Sequence, residues 1–292
     1  MHQDAGRCCR HDAASHHTDR EGKQRDASYR TWRVGVADML MHLGIPYNSA
    51  GAYRMFGRIA EWLSYHSMAE SVQLAKTHGP FPLFGQSAYV DGKLPFAGDD
   101  YSYHEWEHRA TLDWDALKQD IQKHGIRNVL TTTIAPTGTI SMIAGCSSGI
   151  EPVFSLAYTK TVLVGTFHYG CPVLSLKHPD IVQQVAANGG VMIPDIIPDA
   201  DVYCTARQIH WTDHVFAQAA WQRWVGNSIS KTINMAANCT IQDVRDAYVL
   251  AHSLGCRGIT VYRDTSRDVQ VLENSNVQYD PVPSDVVGRY LA

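Results

Sequence analysis

From Val34 onward, stretches with helical spacing alternate with short β-branched runs, and glycine or proline marks nearly every change between them. This alternation, without hairpin signals between the β runs, predicts an α/β fold built on parallel strands, as a sheet or a barrel. The chain has 292 residues, 45% of them hydrophobic, enough for a sizeable core.

The expected elements follow from punctuation. VGVADMLMHLGIPY reads as a short apolar helix stopped by Gly44 and Pro46. Ser49 caps a long helix running to His78-Gly79-Pro80, with Met55, Ile59, Leu63, His66 and Ser67 on one face. LDWDALKQDIQKHG is an amphipathic helix ended by Gly125, and RNVLTTTI after it is strand-like. VFSLAYTKTVLVGTFHYG predicts one or two strands, and HPDIVQQVAANGG a helix. HVFAQAAWQRWVG is a helix capped by Thr212 or Asp213, with SISKTINM as the next strand. TIQDVRDAYVLAHSLG carries a capping box, Thr240 with Asp243, and RGITVYRD is the last strand.

Several function classes are disfavoured. A net charge of −4 offers no basic surplus for nucleic acid. No apolar run is long enough to span a bilayer, and the first residues contain no secretory apolar core, so a cytoplasmic location is expected. Seven scattered cysteines without a Cys-x-x-Cys pair match a reducing compartment. Residues 1–33 read as disordered or foreign sequence, 34–272 as the folded part, and 273–292 as a flexible tail.

The chemistry concentrates in TTTIAPTGTISMIAGCSSGIEP, residues 131–152. A β-branched strand runs into Pro136, which suits a first helical turn. Gly138 removes a blocking side chain, and Thr137, Thr139 and Ser141 add hydroxyls beside free N–H groups. The residues alone leave two readings open, an anion cradle for phosphate or an ordinary capped strand-to-helix turn. Cys146 reads as packing, and Glu151 as either a substrate-facing carboxylate or a structural ion pair. Ser230 and Lys231 read as a solvated strand end or as contacts to a phosphate or a neighbouring loop, and His210 and His214 as helix-surface histidines, with no metal site.

Four segments, ADMLMHLGIPY, AKTHGPFPLF, APTGTISMIAGCSSGIEPVFSLAY and the long WQRWVGNSISKTINM…ITVYRDTSRDVQVL, together resemble the C-terminal half of the catalytic chain of class II, adenosylcobalamin-dependent ribonucleotide reductase. The resemblance implies the C-terminal half of a ten-stranded α/β barrel. It also implies that Pro136, Thr137, Gly138, Thr139, Ile140 and Ser141 bind the phosphates of a ribonucleotide substrate. The implied reaction is reduction to the 2′-deoxyribonucleotide by thiyl-radical chemistry, with adenosylcobalamin as cofactor and a thioredoxin-type reductant as partner. The family's Asn-x-Cys-x-Glu radical loop is absent from this sequence, and Cys8-Cys9 lacks its flanking residues, so no catalytic residue is assigned. The paired tyrosines of class I enzymes are replaced by Thr260-Val261. The chain is accordingly expected to work only with a missing N-terminal half or as a homo-oligomer, to be inactive and poorly soluble alone, and to bind neither nucleic acid nor membrane. The alternative is a non-catalytic phosphate-binding or split-partner module.

Overall fold

The computed structural model describes residues 34–96, 111–162 and 165–266. The expected N-terminal segment 1–33 and tail 273–292 lie outside the described residues. Two compact units are formed, the first from the described parts of Arg54–Ala135 and Ala220–Ile229, the second from those of Arg33–Tyr53, Pro136–Ala219 and Ser230–Ala292.

Helix α1 (Val36–Leu43) ends at Gly44 in the left-handed conformation, as its sequence predicts. Helix α2 (Ala50–His78) begins where the Ala52 N–H donates to Ser49 Oγ at 3.2 Å. Its buried ridge differs from the expected one. Ala52, Phe56, Ala60, Ser64, Met68, Val72 and Ala75 are buried, whereas Met55, Ile59, Leu63 and Ser67 are half-buried and His66 is exposed. Four of these seven, Ala52, Ala60, Ser64 and Ala75, are small, and the polar one among them is bonded. Ser64 Oγ donates to the Trp224 carbonyl at 2.6 Å.

In the first unit, Met68, Val72, Phe81, Tyr89, Leu117, Ile121 and Ile126 form one apolar cluster, each fully buried side chain contributing about 1.5–3 kcal/mol. Helix α3 (Trp114–His124) supplies Leu117 and Ile121, starts at Asp113, whose carboxylate accepts the Ala116 N–H at 2.8 Å, and ends at Gly125. Trp114 stacks on Trp224 at 5.5 Å.

Residues 127–134, expected as a strand, form only one parallel bridge, between Ile134 and Ile229. The reason is that the backbone here bonds outside any sheet. Arg127 N donates to the Ser71 carbonyl, Asn128 N to Ser71 Oγ, and the Val129 carbonyl accepts the Tyr89 hydroxyl.

The second unit contains both named sheets. Strands β1 (Ala157–Val162) and β2 (Gly165–Gly170) pair antiparallel with Val162 opposite Gly165, a hairpin that the sequence reading did not foresee. The connecting Leu163-Val164 carries none of the glycine or asparagine that usually announces a two-residue turn. Strands β3 (Thr232–Met235) and β4 (Thr260–Arg263) pair in parallel through α8 (Ile241–Ser253), whose capping box of Thr240 and Asp243 is fully formed. Helix α4 (Gly138–Ala144) begins inside the 136–141 motif, and α5 (Pro172–Lys177) and α6 (Val182–Ala187) follow the hairpin. Helix α7 (Trp211–Gln222) starts one residue before the caps expected for it. His210 holds that position instead, its Nδ1 accepting the Thr212 N–H at 3.3 Å. The fold is therefore α/β with parallel strand pairing and one antiparallel hairpin.

Gly190 has a φ of 73°, its carbonyl accepts the Leu156 N–H at 2.7 Å, and a Cβ on it would overlap the Ala157 carbonyl oxygen and Ser155 Oγ. Gly190→Ala is expected to destabilise the chain by about 2–4 kcal/mol in urea unfolding, since strain and overlap add. A change below about 0.5 kcal/mol would contradict this account of the hairpin's packing.

Candidate functional site

The site is built in the second unit from the loop Pro136–Ser141. Thr137 has a φ of 50°, a left-handed conformation that β-branched residues rarely adopt, costing about 1–3 kcal/mol. The Thr137 side chain turns inward and is buried, and Gly138, Thr139 and Ile140 are exposed at the amino end of α4. Nothing lies within 4 Å of a Cβ placed on Gly138. The Ser141 N–H closes the first helical turn on the Thr137 carbonyl at 2.9 Å. The N–H groups of the three residues before it have no acceptor within the helix.

The hydroxyls divide unevenly. Ser148 Oγ donates to the Pro136 carbonyl at 2.5 Å, so in its 3.3 Å contact with Thr137 Oγ1 the threonine is the donor. Ser141 Oγ donates to the Gly138 carbonyl at 3.1 Å. The protons of Thr137 and Ser141 are therefore committed inside the loop, and Thr139 is left as its exposed hydroxyl.

The turn after α4 is pinned at successive residues. The Gly35 N–H donates to the Ser147 carbonyl (2.8 Å), the Ala37 N–H to Ser147 Oγ (3.2 Å), and the Ser147 N–H to Asp38 Oδ2 (2.6 Å). Tyr47 donates its hydroxyl proton to the Ile150 carbonyl at 2.6 Å.

Of the two readings of Glu151, the structure supports the ion pair. Glu151 Oε2 lies 2.6 Å from Lys231 Nζ, and Oε1 accepts the Thr232 N–H at 2.6 Å. Lys231 is not a solvated strand end, because its side chain has no exposed surface. Its three protons go to Glu151, His214 Nδ1 at 3.0 Å and the Thr232 carbonyl at 3.1 Å. Burial lowers the Lys231 pKa, and Glu151 opposes that shift. His214 is not on the helix surface either. It is fully buried, and since Nδ1 accepts from Lys231, Nε2 carries the proton and donates to the Ala206 carbonyl at 3.0 Å.

Both residues were signalled in the sequence. Lys231 has the same strand parity as buried Ile229, Ile233 and Met235, so it faces inward with them. His214 falls three residues from Trp211, four from Gln218 and seven from Trp221, one helical face that is buried throughout.

The described cysteines give no activated thiol. Burial raises the Cys146 pKa, with Asp38 adding to it, and pushes Cys204 to about 11 and Cys256 to about 12. Cys171 and Cys239 are raised by burial too. Among the described residues no cluster of three or more His, Cys, Asp or Glu is placed to hold a metal ion, and no helix is long and apolar enough to cross a membrane.

Burial lowers His210 to about 4, and burial together with Lys231 lowers His214 well below the usual histidine value. Depressed folded-state values mean that the unfolded chain takes up protons first as pH falls. The histidines' contribution to stability is thus expected to be level above about pH 6.5 and to decline from there towards pH 4. Asp213, raised by burial, works in the opposite sense near the acidic end. Urea midpoints at pH 7.5, 6.0 and 5.0 should show the decline, with a smaller slope in His214→Gln; equal slopes would remove His214 from the explanation.

Comparison with known proteins bears out the resemblance read from the four segments. A family model described as "Ribonucleotide reductase, barrel domain" matches residues 22–262, beginning before Val34. The vitamin B12-dependent ribonucleoside-diphosphate reductase of Thermoplasma acidophilum is 38% identical over 248 residues, covering 82% of this chain and 28% of that protein. The enzyme of the same name from Mycobacterium tuberculosis (strain CDC 1551 / Oshkosh) is 32% identical over 252 residues, 83% of this chain and 32% of its own length. The ribonucleoside-diphosphate reductase large subunit of Plasmodium falciparum is 35% identical over 207 residues, 65% of this chain and 25% of that subunit. The chain thus spans about a third or less of the curated relatives that it matches. With the family model covering most of its length, the chain belongs to the ribonucleotide reductase barrel-domain family.

Proposed function

We propose that the chain is the substrate phosphate-binding part of a ribonucleotide reductase catalytic chain, serving the reduction of ribonucleotides to 2′-deoxyribonucleotides for DNA synthesis. The observation that carries this reading is the left-handed Thr137, which places exposed Gly138, Thr139 and Ile140 at the start of α4. Pro136 and Thr137 form the corner, and Gly138 leaves room for close approach of a phosphate oxygen. Backbone N–H groups and the Thr139 hydroxyl donate to it, and Ser141 closes the turn behind them. The parallel pairing of β3 with β4, and of Ile134 with Ile229, supports reading these as later strands of a ten-stranded α/β barrel.

In this reading the thiyl radical arises on a cysteine outside this sequence, because Asn-x-Cys-x-Glu does not occur in it and the described thiols are raised. The names of the relatives support adenosylcobalamin, which would supply the radical. A thioredoxin-type reductant, an N-terminal half or a second copy, and a cytoplasmic location complete the proposal. The same missing cysteine loop favours a second reading, a non-catalytic phosphate-binding module that pairs with a separate chain.

Titration calorimetry with ADP and with adenosine tests phosphate binding. ADP is expected to bind and adenosine to bind at least about tenfold more weakly. Gly138→Val, which fits the open space of the folded chain, is expected to remove about tenfold of the ADP affinity without lowering Tm. Equal affinities for ADP and adenosine would sink the reading. Turnover on adding a radical-bearing partner chain separates the enzyme from the module.

A further inference from the structure

We infer that Ser148 is the positioning residue of the phosphate loop, its hydroxyl holding Thr137 in the left-handed conformation that leaves Gly138, Thr139 and Ile140 exposed. This rests on the phosphate-binding reading above and identifies what sets its geometry.

The argument is geometric. The φ of Thr137 is the rotation between the Pro136–Thr137 peptide plane and the substituents on the Thr137 Cα. One oxygen grips both sides of that rotation. Ser148 Oγ donates to the Pro136 carbonyl at 2.5 Å, fixing the peptide plane, and accepts from Thr137 Oγ1 at 3.3 Å, fixing the side chain. A β-branched residue at a φ of 50° needs such restraint, and the Pro136 ring already limits the residue before it. Ser148 is itself held from both sides. Ser147 is tied to Gly35, Ala37 and Asp38, and the Glu151 N–H donates to the Ser148 carbonyl at 2.9 Å. Since its single proton goes to Pro136, Ser148 has none to donate to a phosphate, and it acts through Thr137.

The test measures inorganic pyrophosphate binding by this chain in five forms, unaltered, Ser148→Ala, Ser148→Thr, Thr137→Gly and the Thr137→Gly/Ser148→Ala double variant, with the melting temperature recorded for each. Ser148→Ala is expected to weaken binding about fivefold, as loss of one such bond allows, and Ser148→Thr to stay within about twofold of the unaltered chain. Glycine adopts the left-handed conformation without penalty, so in a Thr137→Gly background the Ser148→Ala change is expected to cost less than about twofold. That last result separates positioning from direct contact or general destabilisation, either of which predicts the same loss in both backgrounds. An equal loss in both backgrounds overturns the inference, as does unchanged binding in Ser148→Ala. If the unaltered chain does not bind pyrophosphate, the phosphate-binding reading falls and the inference with it; if it binds and Ser148→Ala binds equally well, only the positioning role falls.

Discussion

A lysine ammonium with no exposed surface is tolerable only if each of its protons meets an acceptor, and Lys231 meets three: Glu151, His214 and its neighbour's carbonyl. Glu151 and Lys231 lie far apart in the chain, so the pair fixes the turn after α4 against the start of β3. Little net stability need come from it, because desolvation offsets most of the attraction. What it contributes is register. Shifting β3 by one residue would turn Lys231 outward and bring Ser230 or Thr232 in, leaving Glu151 without its cation.

That fixed turn then supports the loop. Between Cys146 and Pro152, Ser147 binds the start of α1, Ser148 binds the 136–141 loop, Ile150 takes the Tyr47 hydroxyl, and Glu151 takes Lys231 and the Thr232 N–H. The serine contacts use backbone groups or short side chains, which lose little rotamer freedom on ordering. The strained Thr137 is therefore attached to a part of the second unit with few remaining degrees of freedom.

The sequence was legible where structure is set locally. The Gly44 and Gly125 stops, the Ser49 cap and the Thr240–Asp243 box each depend on residues within one helical turn, and all four are present. It was less legible where distant partners decide. Residues 127–134 have the composition of a strand, yet Ser71 of α2 and Tyr89 take up backbone groups of its first residues. The motif 136–141 was visible as residues, but which hydroxyls are committed inside the loop depends on Ser148, a contact that spacing cannot reveal. His214 and Lys231 were visible by parity and helical spacing, but a buried charge is so costly that each seemed better placed on the surface until the other was known to be beside it.

The same pairing bears on how the loop would read an anion. Lys231 reaches the turn, and it is committed to Glu151 and His214. The donors left at the exposed corner are backbone N–H groups and the Thr139 hydroxyl, which carry partial charges in fixed directions. Recognition by such donors depends on how accurately they are aimed, since a dipole loses its attraction with angle faster than a full charge does. A loop of this kind gains more from a restrained corner than from an added charge, which gives a physical reason for keeping a β-branched residue at a φ of 50° and holding it there with a serine eleven residues further along the chain.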